Sequence, residues 1–133
     1  MTVEDHRVRT IHQTLYYTYG IVPIVAGLDK FTNLLTRWET YLNPDAARIL
    51  GANAGRFMEV VGIVEIIAGF LVFFRPRIGG FVVAGWLALI ALSLLAAGQF
   101  LDVAVRDLAM AIGALTLARL TPVAEDLHLA SAD

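Results

Sequence analysis

Charged residues that interrupt the long apolar stretches of this sequence are the residues best placed to do chemistry. Two of them are cations and four are carboxylates: Lys30, Arg106, Asp29, Glu59, Glu65 and Asp107. An ionised side chain in an apolar environment is costly unless it is paired or hydrogen-bonded. Their positions within or beside apolar stretches therefore predict a polar cluster in the interior of the protein.

Glu65 is the most costly of these charges, because it lies near the middle of the apolar stretch 57–74. Lys30 ends the preceding apolar stretch, and Arg106 and Asp107 lie near the start of the last one. On a bundle of antiparallel helices these positions fall at the same end or near it. The predicted cluster has four members, which are Lys30, Glu65, Arg106 and Asp107. Two further residues, Asp29 and Glu59, are predicted at its rim.

Two kinds of role suit such a cluster. Lys30 and Arg106 could hold an anionic or carbonyl-bearing ligand, such as a quinone headgroup or a lipid, while Glu65 relays protons. The alternative is a buried ion-pair network that fixes the register of the helices and binds nothing. No phosphate-binding, dinucleotide-binding or nucleophile-elbow pattern occurs, so we assign no catalytic residue. The three histidines lie on unrelated segments and predict no metal site.

Composition indicates the environment in which these charges lie. Of the 133 residues, 58% are hydrophobic and 17% are charged, whereas a soluble domain has about 45–50% apolar and about 25% charged residues. A chain this short has too few polar groups to cover its surface, which predicts an integral membrane protein. The net charge of −2 gives no basic footprint for nucleic acid. The absence of cysteine excludes a disulfide scaffold, a thiolate metal site and a thiol redox centre.

Four stretches are long and apolar enough to be membrane-spanning helices, for which about 20 residues are needed. The sequence therefore predicts a single all-α membrane domain over residues 1–133, a four-helix bundle. The predicted spans are approximately 11–30, 57–74, 78–101 and 102–120. The bilayer is the first expected partner, and other membrane subunits or further copies of the chain are the next.

Turn signals separate these spans. Pro76, between Arg75 and Arg77, cannot continue a helix without disruption and predicts a tight hairpin. Residues 31–56 are predicted to form an ordered cap at the membrane interface, with an exposed loop as the alternative. Pro122 is predicted to end the fourth helix, followed by a short, loosely docked tail. The first residues include acidic side chains and no small-residue cleavage site, so the first span is expected to stay in the mature protein.

Small residues spaced along the spans predict close helix packing, because helices in lipid associate through faces that let their backbones approach. Such faces are formed by Gly62 and Gly69 in the second span, by Gly80, Ala84 and Ala88 in the third, and by Ala114 and Ala118 in the fourth. His12 is expected to be a hydrogen-bonded packing residue rather than a ligand.

Four spans place both chain termini on the same side of the membrane. Lysine and arginine, which are enriched in cytoplasmic loops, number five on each side of the predicted topology. The tally becomes five against three if Lys30 and Arg106 lie inside the bundle. We therefore expect both termini to be cytoplasmic.

Several pieces of the sequence resemble the DoxX-like family of small four-span bacterial membrane proteins. These are AGLDKF at 26–31, Glu59 through EIIAG at 65–69, the Arg75-Pro76-Arg77 hairpin, and Arg106-Asp107. The resemblance covers roughly residues 11–120. It implies a four-helix bundle in the bacterial inner membrane and, for some members, association with membrane oxidoreductase complexes or quinol-linked thiol and sulfur oxidation. The absence of cysteine argues against thiol chemistry on this subunit itself.

From the cluster and the resemblance together, the expected function is that of an accessory subunit of a membrane oxidoreductase or respiratory-type complex. Its polar cluster would lie near a quinone or proton path, and the chain would be a non-catalytic subunit rather than a stand-alone enzyme. Two alternatives stay open: a small transporter or anion- or lipid-binding membrane protein, and a purely structural packing subunit.

Overall fold

A computed structural model describes residues 2–132, apart from the side chains of residue 39 and of residues 128–132. Within these residues the chain is helical and has no strand, which confirms the predicted all-α fold with four long helices. The helices are α1 (Val3–Thr32), α2 (Pro44–Leu50), α3 (Ala54–Phe74), α4 (Pro76–Ala97) and α5 (Leu101–Ala132), with 3₁₀ turns at Trp38–Tyr41 and Gly51–Asn53.

The helix ends follow local signals in the sequence. The hydroxyl of Thr2 and the carboxylate of Asp5 form a capping box at the start of α1. Asn33, with a φ of 53°, ends α1 in the left-handed conformation. Arg75 separates α3 from α4, and Pro76 occupies the first turn of α4, where its missing N–H is not needed. The predicted tight hairpin between α3 and α4 is therefore confirmed.

Helices α1 and α3 are antiparallel and pack closely. Gly27 lies against Gly62, and Gly20 lies against Gly69, so residue numbers rise on α1 as they fall on α3. A Cβ atom on Gly62 would lie 2.6 Å from the carbonyl oxygen of Gly27. Since such a contact is too short for any side chain, only glycine lets these two backbones approach so closely.

Helices α4 and α5 form the second close pair. A Cβ atom on Gly80 would lie 2.9 Å from the carbonyl oxygen of Ala114 and 2.9 Å from the Cβ of Ala118. Gly80 therefore faces the small residues Ala114 and Ala118 of α5. The two pairs contact each other through α3 with α4 and through α1 with α5.

The bundle has two distinct ends. At the terminal end, α1 begins and α5 finishes, and His12 hydrogen-bonds Thr121. At the cap end, residues 33–53 connect α1 to α3 through α2 and the two 3₁₀ turns. The ring centroid of Tyr41, in this connection, lies 4.8 Å from the ring centroid of Phe100, a residue of the link between α4 and α5.

Two of the long helices extend beyond their predicted limits. Helix α1 has 30 residues and α5 has 32, whereas α3 has 21 and α4 has 22. The prediction that Pro122 ends the fourth helix is wrong, because α5 continues through it and buries Ala124. A proline removes one backbone donor and crowds the preceding turn. Helix α5 nevertheless continues through Pro122. The preceding residue, Thr121, donates its hydroxyl to the Leu117 carbonyl and also hydrogen-bonds His12.

Residue size is distributed unusually between the interior and the outer surface. The buried apolar positions are mostly alanine, with a few larger residues: Ala68, Ala91, Ala104, Ala111, Ala114, Ala118, Ala124, Val72, Val83, Leu94 and Leu117. Large apolar residues lie exposed on every long helix, for example Ile21, Val25, Ile63, Ile67, Phe70, Phe81, Leu89, Leu92, Val105 and Ile112. Two helical segments, Pro44–Phe74 and Pro76–Ala97, are long and apolar enough to cross a membrane.

Candidate functional site: a buried cluster around Lys30 and Glu65

Lys30 and Glu65 form a buried ion pair at the cap end of the bundle. The Nζ atom of Lys30 donates to Oε2 of Glu65 over 2.6 Å, and their side chains are 3% and 10% exposed. Lys30 lies in the last turn of α1, and Glu65 lies near the middle of α3. The structure therefore brings together two of the four residues that the sequence placed in the predicted cluster.

The close approach of α1 and α3 places Lys30 within reach of Glu65. A Cβ atom on Gly62 would lie 3.1 Å from the Cβ of Lys30, so the lysine stem lies across this glycine. Glu65 is three residues further along α3 and therefore shares the face that carries Gly62. The glycine contact and the ion pair are thus parts of one arrangement.

Trp86 of α4 supplies a second hydrogen bond to the pair. Its Nε1 donates to Oε1 of Glu65 over 3.3 Å. Each oxygen of the Glu65 carboxylate therefore accepts one bond, from an ammonium group on one side and from an indole on the other. Because these donors come from α1 and α4, Glu65 links three helices of the bundle.

Trp38 covers Lys30 from the cap. The ammonium nitrogen of Lys30 lies 3.8 Å from the centroid of the Trp38 ring, within the range of a cation–π interaction. The indole Nε1 of Trp38 donates to Oδ2 of Asp29 over 2.8 Å. One residue of the 3₁₀ turn thus contacts two neighbouring charged residues of α1.

Asp29 organises the turn that follows α1. Its carboxylate accepts bonds from the hydroxyl of Thr32 and from the backbone N–H groups of Leu34 and Leu35, at distances of 3.0 Å, in addition to the bond from Trp38. With both oxygens engaged, Asp29 holds the start of the cap and positions the indole over Lys30. The structure places Asp29 next to the ion pair, in a supporting position.

Asp107 completes what we call the cap-end cluster: Lys30, Glu65, Trp86, Trp38, Asp29 and Asp107. Asp107 is buried on α5 and interacts electrostatically with Arg106 and with Glu65. Its carboxylate accepts no hydrogen bond from the residues that the structure describes. It therefore differs from Glu65 and Asp29, whose oxygens are both engaged.

Two of the predicted residues lie outside the cluster. The guanidinium group of Arg106 is 66% exposed and lies 3.6 Å from the carboxylate of Asp102. The prediction that Arg106 turns into the bundle is therefore wrong, and its charge acts on Asp107 from the outer surface. Successive residues of a helix point about 100° apart, so with Asp107 turned inwards its neighbour is turned outwards. Glu59, expected at the rim, lies exposed on α3.

A second, uncharged set of polar contacts lies towards the terminal end, which we call the terminal polar layer. Nε2 of His12 lies 3.0 Å from the hydroxyl of Thr121, consistent with the packing role expected of His12. Tyr16 donates to the carbonyl of Phe73 over 2.7 Å. One turn further in, Tyr19 donates to the carbonyl of Met110, also over 2.7 Å.

Three contributions to the cap-end cluster were not predicted from the sequence: the hydrogen bond of Trp86, the cation–π contact of Trp38 and the role of Asp29 in the turn. Trp86 carries the one side-chain N–H in the otherwise apolar stretch 78–92, and a buried indole N–H needs an acceptor. Glu65 in the neighbouring helix is such an acceptor, so the sequence contained a signal for the bond between Trp86 and Glu65. The structure gathers no group of three or more metal-ligating side chains among its described residues.

Comparison of the chain with protein-family models, with curated proteins and with solved structures gives no match.

Proposed function

We propose that this chain is an integral membrane protein of the bacterial inner membrane, similar to the DoxX-like family, and that it serves as an accessory subunit of a membrane oxidoreductase or respiratory-type complex. Its cap-end cluster lies near a quinone or proton path of that complex. Both termini are cytoplasmic, and the chain itself is non-catalytic. The buried Lys30–Glu65 pair carries this proposal.

The distribution of residue size supports insertion into a bilayer. Water-soluble bundles bury large apolar side chains, whereas this bundle buries alanine and glycine and exposes isoleucine, leucine and phenylalanine. Helices packed in lipid have small residues at their contacts, because lipid tails already solvate the large ones. The two segments that are long and apolar enough to cross a membrane agree with this interpretation.

The position of the ion pair supports a function beyond insertion. Ionisable residues inside membrane bundles are rare, pair with one another and mark substrate or proton pathways. Here the pair is accompanied by Asp107, a third ionisable group without a hydrogen bond from the described residues. A buried carboxylate without a hydrogen-bond donor, beside an ion pair, is suited to accept and release a proton.

Purification of the chain from native membranes in a mild detergent, followed by identification of the proteins that stay bound, tests whether it belongs to such a complex. We expect membrane oxidoreductase subunits to be recovered in fixed proportion to the chain. In that complex, Glu65→Gln is expected to lower quinone-linked turnover at least tenfold, while Glu59→Gln, an exposed carboxylate on the same helix, leaves it unchanged. Recovery of a stable assembly that contains only this chain would overturn the proposal.

A structural packing subunit is the second candidate, and one observation favours it. Lys30 and Glu65 satisfy each other, and the remaining contacts of the pair come from two tryptophans. A closed network of this kind fixes helix register without any ligand. Unchanged turnover in a complex that carries Glu65→Gln, together with impaired assembly, would favour this candidate.

A further inference from the structure

Asp107 is the buried ionisable residue that the packing of the bundle leaves unexplained. It is 8% exposed, on the face of α5 that carries the buried residues Ala104, Ala111 and Ala114. Alanine offers no donor, and none of the described residues hydrogen-bonds the Asp107 carboxylate. Glu65, by contrast, lies between two donors, Lys30 and Trp86.

The Asp107 oxygens nevertheless reach an accessible space. Among the described residues, no completely enclosed side-chain nitrogen or oxygen lacks a hydrogen bond. Since the Asp107 oxygens have no such bond, they are not completely enclosed. The carboxylate therefore keeps a small accessible surface, through which a proton can reach it.

The charges that face Asp107 do not balance. On α1 the cation is Lys30, on α3 the anion is Glu65, and α4 contributes the uncharged indole of Trp86. The carboxylate of Asp29 is engaged by the donors of its own turn. Arg106, the neighbour on α5, also interacts electrostatically with Asp107, but its guanidinium group is exposed beside Asp102, where solvent screens its charge. If Lys30, Glu65 and Asp107 are all ionised, the buried group carries one net negative charge. An uncompensated buried charge is costly, and one bound proton removes it.

We propose that Asp107 is the proton-binding carboxyl of the cap-end cluster. It takes up one proton from the aqueous solution, forming one O–H bond, while the hydrogen bond between Lys30 and Glu65 is kept. Release of the proton restores the carboxylate, and no oxidation or reduction is involved. This inference rests on the proposed function in one respect: it names the residue that would deliver protons to a proton path through the chain.

Infrared difference spectroscopy of the full chain, reconstituted in liposomes, tests the proposal. Spectra recorded at neutral and alkaline pH are subtracted, and the carbonyl stretch of a protonated carboxylic acid in an apolar environment is followed. We expect this band at neutral pH, its loss at alkaline pH, and a shift of its frequency in D₂O, because the proton exchanges with water.

The matched variants are Asp107→Asn and Asp102→Asn, which remove a buried and an exposed carboxylate from the same helix. The band is expected to vanish in Asp107→Asn and to persist in Asp102→Asn. If Asp107→Asn fails to fold, as judged by its circular dichroism, Asp107→Glu keeps the carboxyl and is expected to retain a displaced band. Absence of the band from the unmodified chain, its persistence in Asp107→Asn, or the lack of a D₂O shift would overturn the proposal.

The measurement uses the isolated chain and needs no quinone or partner. A failure to recover oxidoreductase subunits from native membranes would therefore overturn the proposed function and leave this result intact. Conversely, a chain that copurifies with such subunits and shows no Asp107 band would overturn only the assignment of the proton to Asp107.

Discussion

The terminal polar layer and the cap-end cluster join the same helices with different chemistry. Near the terminal end, Tyr16 bonds the Phe73 carbonyl and His12 bonds Thr121, so no formal charge pairing is required. At the cap end, Lys30 meets Glu65 over 2.6 Å inside the bundle. A neutral hydrogen bond can be lost at a modest cost, whereas loss of one partner of a buried ion pair leaves a charge without compensation. The cap end is therefore the more sensitive of the two.

The largest expected effect comes from removing one charge of the cap-end pair. Glu65→Leu leaves Lys30 buried without its counter-charge and is expected to lower the free energy of unfolding by about 3–5 kcal/mol. Adding Lys30→Met removes the second charge and is expected to restore most of that loss. Denaturant unfolding in detergent micelles, followed by circular dichroism, measures both variants. If the double variant is as unstable as Glu65→Leu alone, the contribution of the ion pair has been misjudged.

An intermediate effect is expected from the glycine contacts at the two ends. A Cβ atom on Gly27 would meet the backbone of Gly62, which cannot move without displacing α3, whereas one on Gly20 would meet the ring of Phe73. Gly27→Ala is therefore expected to cost about 1–3 kcal/mol, and Gly20→Ala less, because a side chain can rotate away. Unfolding of the two variants under the same conditions gives the comparison. A larger loss for Gly20→Ala would show that the terminal end is packed more rigidly than we infer.

The smallest expected effect comes from the terminal polar layer. Tyr16→Phe removes the hydroxyl that bonds the Phe73 carbonyl and keeps the ring. Hydrogen bonds between membrane helices contribute about 0.6 kcal/mol on average, and a loss of that size is expected for the membrane bundle that we propose. The same unfolding measurement serves, with the unmodified chain as its reference. A loss comparable to that of Glu65→Leu would remove the distinction between the two ends.

Much of the fold could be predicted because its determinants are local. The hairpin between α3 and α4 depends on Pro76, and the close helix pairs depend on small residues at regular spacing, such as Gly62 and Gly69. The end of α5 could not be predicted in this way. Whether a proline such as Pro122 ends a helix depends on the packing of the following turns, here including the buried Ala124, and that packing is not local.

The candidate site was predictable in part for a similar reason. Lys30 and Glu65 stand out as charges beside or within apolar stretches, and each needs a partner, so their pairing follows from the cost of burial. Arg106 and Asp107 are adjacent in sequence, and only the rotation of α5 decides which of them faces inwards. That rotation is set by the row of buried alanines packed against α4, a tertiary property.

The long helices differ in length, and in a bilayer the longer ones would extend beyond the hydrocarbon core. At 1.5 Å per residue, the 32 residues of α5 extend over about 48 Å, compared with about 33 Å for the 22 residues of α4. Helix α1, with 30 residues, is almost as long as α5. Since a bilayer's hydrocarbon core is about 30 Å thick, these two helices would project beyond it as a short rigid stalk. Glu125 lies about 36 Å from the start of α5, so Glu125 and Asp126 would then stand in the layer of lipid headgroups.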